Sequence, residues 1–147
     1  MAPETQHEQE REPLQTLEQK RAKKAWEQIK QVVEKSKENS KLGESYRSLV
    51  RKAPAMIKTN GLGQTVAFLL SKAKESESDA EALLYRHLEA WLGDDEAPVP
   101  WPDELKAKGL IEKITLVDSG IYRQAAREAL IYLGWLKRFA EARLEKG

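Results

Sequence analysis

The sequence predicts an all-α fold, a compact bundle of about six helices in a single domain with a long C-terminal helix, and three observations carry that prediction. Apolar residues recur at intervals of three and four along every convincing periodic stretch. No stretch alternates strictly for long enough to make a strand. The connections carry helix stop and start signals, Gly93 and Pro102 among them. A chain of 147 residues fits one domain, and at this length it buries roughly 68–70% of its unfolded surface, enough for a core without staples. The expected division is a tail over 1–12, acidic and flexible, and one helical domain over 13–147.

The first helix is expected from about Leu14 to Ser36, because Ala22, Ala25, Trp26, Ile29, Val32 and Val33 fall within about a 120° arc at 100° per residue. A break near Asn39 to Gly43 precedes a second helix with the stripe Leu42, Tyr46, Leu49, Val50 and Ala53. Pro54 is a kink or a stop. Asn60-Gly61 is a pair suited to left-handed backbone, after which Leu62 to Lys74 begins a third helix with Val66, Leu69, Leu70 and Ala73 inward. A fourth helix spans about Asp79 to Leu92 and ends at Gly93.

The long irregular connection that follows is rich in proline and acid. Pro102 can open a short fifth helix that Gly109 closes, with Asp103 and Glu104 near its positive end. Leu110 to Val117 is a short helix or an extended linker, and Asp118 or Ser119 caps the last helix, which runs to about Leu144. The apolar arc of that helix covers about 220°, so it must pack on two sides, either centrally or against its own core and a partner.

The net charge of +1 hides a strong division. The segment 1–12 carries −3, 13–41 carries +4, 42–74 carries +5, 75–104 carries −9 and 105–147 carries +4. Two basic ridges follow from helical geometry. Arg123, Arg127 and Arg138 fall within about 60° on the last helix, and Arg47 and Arg51 within about 40° on the second, joined by Lys58 if that helix passes Pro54. Such faces attract a polyanion, although ordinary solvated helix faces look the same in sequence.

Other chemistry is poorly supported. With no cysteine, disulfides, thiolate zinc sites, iron–sulfur clusters and thiol nucleophiles are excluded. Gly61-Leu62-Gly63-Gln64-Thr65 lacks both the Gly-Lys-Ser/Thr of a Walker loop and the third Gly of a dinucleotide loop. His7 lies in the tail and His87 on an apolar face, where a core-edge role is expected. Asp94, Asp95 and Glu96 do not have the spacing of a calcium loop. No catalytic residue, cofactor or metal is therefore expected. The chain has no apolar run of 18 residues and an acidic, polar start, so it is expected to be soluble and unexported, with the cytoplasm as the default compartment. Trp26, Trp91 and Trp135 fall on apolar stripes and are expected in the core, whereas Trp101 either covers the core end or anchors a partner. No aromatic pair is expected in the basic setting that base stacking uses.

Two motifs carry a resemblance. Ile57-Lys58-Thr59-Asn60-Gly61-Leu62-Gly63-Gln64 is followed by Phe68-Leu69, and Tyr122-Arg123 leads through Arg127-Glu128-Ala129-Leu130 to Trp135-Leu136-Lys137-Arg138-Phe139-Ala140. With them the chain resembles the small subunit of type III-B CRISPR Cmr effector complexes, from about Tyr46 to Arg143. The resemblance implies an all-helical, non-catalytic subunit in antiviral defence, stacked in several copies as an inner filament beside the guide-RNA backbone. Its implied partners are the guide RNA–target RNA duplex, the Cmr backbone and large subunits and neighbouring copies of itself, with no membrane and no small-molecule substrate. The residues expected to face RNA phosphates are Arg47, Arg51, Lys58, Arg123, Arg127, Lys137 and Arg138, with Arg123 or Arg127 alternatively bridging to Glu128 or the second helix. The acidic 75–104 region is expected against a basic surface of the next copy. The competing reading is a helical protein–protein adaptor without nucleic-acid contact.

Overall fold

The computed structural model describes residues 13–73 and 79–146, and the acidic tail expected over 1–12 lies outside them. Among the described residues there are five α-helices and no strand: α1 (Leu17–Ser36), α2 (Ser40–Ala73), α3 (Ala80–Leu92), α4 (Leu110–Leu116) and α5 (Ser119–Arg143). The expected all-α class holds, and the count falls from about six to five for two local reasons. The expected second and third helices run on as α2, and the expected fifth is a single 3-10 turn over Asp103–Leu105.

Helix α1 starts at Leu17 rather than Leu14, because Thr16 and Gln19 form a capping box. The Gln19 amide donates to Thr16 Oγ1 at 3.1 Å and the Thr16 amide to Gln19 Oε1 at 2.8 Å. Leu14, ahead of that cap, is 93% exposed. Helix α2 continues through Pro54 and is interrupted only at Gly61, with φ +90° and ψ 162°. Of the Asn60-Gly61 pair, only the glycine has positive φ. The chain resumes helix because the freed backbone groups find partners: Gly63 N–H donates to Tyr122 Oη at 2.8 Å, and Thr65 Oγ1 donates to the Gly61 carbonyl at 2.9 Å. The two sequence motifs therefore meet at Gly63 and Tyr122. Because that backbone region is open essentially to glycine alone, Gly61→Ala is expected to cost about 1–3 kcal/mol. Urea denaturation tests it, and an unchanged midpoint would mean that the helix straightens freely.

Helix α5 lies between α1 and α2, which explains its broad apolar arc. Ala125, Ala129, Tyr132, Leu133, Leu136 and Ala140 are buried against them. It runs antiparallel to α2, with Tyr122 beside Gly63 at one end and Glu141 beside Arg51 at the other. Polar groups are threaded through this core. Glu128 accepts two bonds from Arg21, at 2.6 and 2.7 Å, and one from Trp91 Nε1 at 2.8 Å. Gln28 donates to the His87 carbonyl at 3.1 Å and accepts from Tyr132 Oη at 2.6 Å. His87 Nδ1 lies 2.6 Å from Tyr46 Oη. Burial raises the pKa of both tyrosines.

The acidic connection after α3 is folded back on the domain. Trp101 is buried, and its Nε1 donates to the Leu92 carbonyl at 2.7 Å, so it covers the end of α3. Lys113 Nζ sits 5.3 Å from the Trp101 ring centre, and burial lowers its pKa. Glu89 Oε2 accepts the first amide of α4, from Leu110, at 2.9 Å, with Gly109 at the start of that helix rather than at the end of the previous turn. The segment 110–116 is thus helical. Glu96 pairs with Lys20 at 2.7 Å, Asp94 with Lys24 at 3.7 Å and Asp103 with Lys106 at 3.0 Å. Part of the acidic charge expected to face another copy is engaged within the chain.

Candidate nucleic-acid interface

The antiparallel pairing of α2 with α5 gathers the cations read from sequence. Helix α2 presents Arg47 and Arg51 one turn apart, and because the helix passes Pro54, Lys58 keeps the same register. Helix α5 answers with Lys137. Between them lies an open groove of about 420 Å³ lined by Arg47, Ser48, Arg51, Lys52, Lys137 and Lys146. The carboxylate that reaches into this cluster is Glu141, whose Oε2 lies 3.6 Å from Arg51 Nε. Arg47 Nε is shielded from solvent and has no hydrogen-bond partner among the described residues.

Lys58, Arg123, Arg127 and Arg138 do not line the groove; each is exposed. On the wheel of α5, Arg123 continues the line of the groove, and Arg127 and Arg138 lead from it toward the α1 side. Arg123 is a whole number of turns from Glu141, so it lies on the line of α5 that touches Arg51, with Arg127 about 40° and Arg138 about 60° round from it. Glu128 does not pair with Arg123 or Arg127, since Arg21 and Trp91 occupy both of its oxygens. The two arginines remain on the solvent side.

Sequence reasoning missed Lys52 and Lys146. Lys52 is about 140° from Arg47 on a helical wheel, so its part in the groove was hidden. It lines the groove together with Lys146, which follows α5. No local pattern encodes that meeting.

The other candidates are structural. In the Gly61-Leu62-Gly63-Gln64-Thr65 stretch the Gly63 amide is taken by Tyr122. His87 is 4% exposed and bonded to Tyr46, and among the described residues no group of three or more His, Cys, Asp or Glu could hold a metal ion. No helix among them is long and apolar enough to cross a membrane.

The tryptophans divide. Trp91 is buried, stacked on Tyr132 at 5.2 Å between ring centres. Trp135 is half-buried and Trp26, expected in the core, is 38% exposed. Trp26 stands at the edge of its stripe, where α5 covers one side only, and meets Phe139 at 5.0 Å. The Arg143 guanidinium lies 5.0 Å from the Trp26 ring, a cation–π contact that covers the ring on that side.

Comparison with known proteins places this geometry in context. A family model described as CRISPR-associated protein (Cas_Cmr5) matches residues 17–143. The chain is also similar to a protein of Thermus thermophilus named CRISPR system Cmr subunit Cmr5. The two are 31% identical over 125 residues, which covers 85% of this chain and 93% of that protein.

Proposed function

From the premise that the chain belongs to the Cmr5 family of CRISPR-associated proteins, and is thus a small subunit of a Cmr complex in CRISPR defence, we propose that it lines the target-RNA groove of that complex through phosphate-directed cations. In this reading several copies stack as an inner filament beside the guide-RNA backbone, in contact with backbone and large subunits, and the subunit is non-catalytic. The observation that carries it is the basic surface of α2 and α5, where Arg47, Arg51 and Lys137 share a groove and Lys58, Arg123, Arg127 and Arg138 extend it. Lys and Arg along such a surface suit a phosphate backbone, which needs position rather than base identity.

The test is target-RNA binding by the reconstituted complex across a range of salt concentrations. Neutralising phosphates releases counterions, with a slope of about 0.7 per phosphate for single strands. Replacing Arg123, Arg127 and Arg138 together by Gln is expected to weaken binding for every target sequence and to flatten the slope by about two units. An unchanged slope in a normally assembled complex would sink the RNA reading. That outcome favours a protein–protein adaptor, a reading supported by the exposed Trp26 and Ile131 beside Trp135 and Phe139.

A further inference from the structure

The groove between α2 and α5 differs from the rest of the basic face in being built from three chain segments. Its cations come from α2, from α5 and from the residues after α5, and its lining holds no aliphatic or aromatic side chain. We propose that this groove is a preformed phosphate pocket of the isolated chain, with Arg47 as its principal ligand. It takes two or more phosphate groups of an oligophosphate or of a nucleic-acid backbone. The proposal rests on the phosphate-directed reading above for the sign of the ligand, and adds that one bounded site, rather than the whole face, binds with defined stoichiometry.

Three features point to a phosphate-class anion. Five cationic side chains converge on about 420 Å³, a volume within the usual range of ligand sites, and the other lining residue is Ser48. The carboxylate paired with the groove's arginines, Glu141, is 3.6 Å from Arg51 Nε, longer than a charge-assisted hydrogen bond, and leaves donors on Arg51 to spare. Arg47 Nε is a solvent-shielded donor without an acceptor among the described residues. That shielded edge anchors the side chain, and Arg47 lines the groove with the rest of its guanidinium. Guanidinium forks bind phosphate oxygens two at a time, and Ser48 adds a hydroxyl donor at the groove wall.

The experiment is calorimetric titration of the full chain with tripolyphosphate at fixed ionic strength. One saturable site per chain is expected. Arg47→Lys keeps the charge but loses Nε and the fork, and is expected to weaken binding at least tenfold. The combined change Lys137→Gln and Lys146→Gln carries the same test should Arg47→Lys melt early, and a loss of under twofold there counts against the pocket. The control variant Lys30→Gln, on α1 and outside the groove lining, is expected to bind tripolyphosphate as the parent does. Non-saturable uptake, or equal affinity in the parent and a folded Arg47→Lys, overturns the pocket. Competition with a short RNA lacking a terminal phosphate then identifies the source. Displacement of tripolyphosphate assigns the pocket to backbone phosphates, and coexistence assigns it to free oligophosphates. If tripolyphosphate binds as stated while ridge variants leave the salt slope of the complex unchanged, the pocket stands and the target-RNA reading falls.

Discussion

Glu128→Ala is expected to lower the stability of the chain by about 3–5 kcal/mol, the loss typical of breaking a buried ion pair by removing one partner. The side chain of Glu128 is 3% exposed, and its carboxylate is the shared acceptor of the Arg21 fork and of Trp91 Nε1. The bidentate hydrogen bond, ahead of burial, which opposes it, raises the pKa of Arg21. Deleting the carboxylate strands two donors at once: a guanidinium that is only 14% exposed and a buried indole N–H. It also opens space beside Trp91 and Tyr132, which stack nearly parallel. Since native domains are stable by only about 5–15 kcal/mol, this one change removes a large fraction of the total. The measurement is urea denaturation of the parent, Glu128→Ala, Arg21→Met and the double variant Arg21→Met with Glu128→Leu. The double is expected to lose clearly less than the two singles added together, because apolar replacement removes both desolvated charges together. A loss below about 1 kcal/mol for Glu128→Ala would place the pair with solvent-screened surface bridges and refute its role as the link between α1, α3 and α5.

The position of Glu128 shows where the sequence was legible and where it was not. Four of the helices were readable because each buries a stripe at the helical period, and His87 was readable as a core-edge residue because it falls on such a stripe, though at 4% exposure it lies deeper than that. Glu128 also falls inside the apolar arc of α5, between Trp135 and Phe139 on the wheel, and that acid among aromatics was the available sign of a buried pair. Its partner could not be read, because Arg21 lies on another helix and resembles the solvated cations around it. Trp26 failed for the opposite reason. Its stripe was identified correctly, yet a stripe says only that a face is covered, and the residue at its margin depends on the reach of the neighbouring helix. The two helices expected around Gly61 merged because one side chain remote in sequence, Tyr122, and a local one, Thr65, satisfy the backbone that the break exposes. For the candidate site, the cations on single helices were legible and their convergence was not. The groove requires α5 to run antiparallel to α2 and the chain beyond it to return, both of which are tertiary facts.

The domain should lose stability as pH falls below about 6.5, and His87 should account for about one proton of that dependence. The imidazole is 4% exposed, and its pKa is pulled down to about 3, chiefly by burial and then by the positive charges of Arg86, Lys24 and Lys35. Tyr46 Oη occupies Nδ1, and Nε2 is buried without a partner among the described residues in either neutral tautomer. A second proton on the ring would place a charge there with one hydrogen bond to share. In the unfolded chain the same group titrates near 6.5. Between the two values the unfolded state binds the extra proton, so stability rises with pH across that window and is lost on acidification. Each unit of separation is worth about 1.4 kcal/mol, which gives a loss of about 2 kcal/mol by pH 5. Carboxylates begin to titrate in the same range, so the comparison is between the parent and His87→Phe, each denatured in urea from pH 7.5 to pH 4.5. The parent curve should steepen by one proton relative to the variant below about pH 6. Superimposable slopes would show that the ring takes its proton in the folded state, which requires the packing of α2 against α3 around Tyr46 and His87 to open without global unfolding.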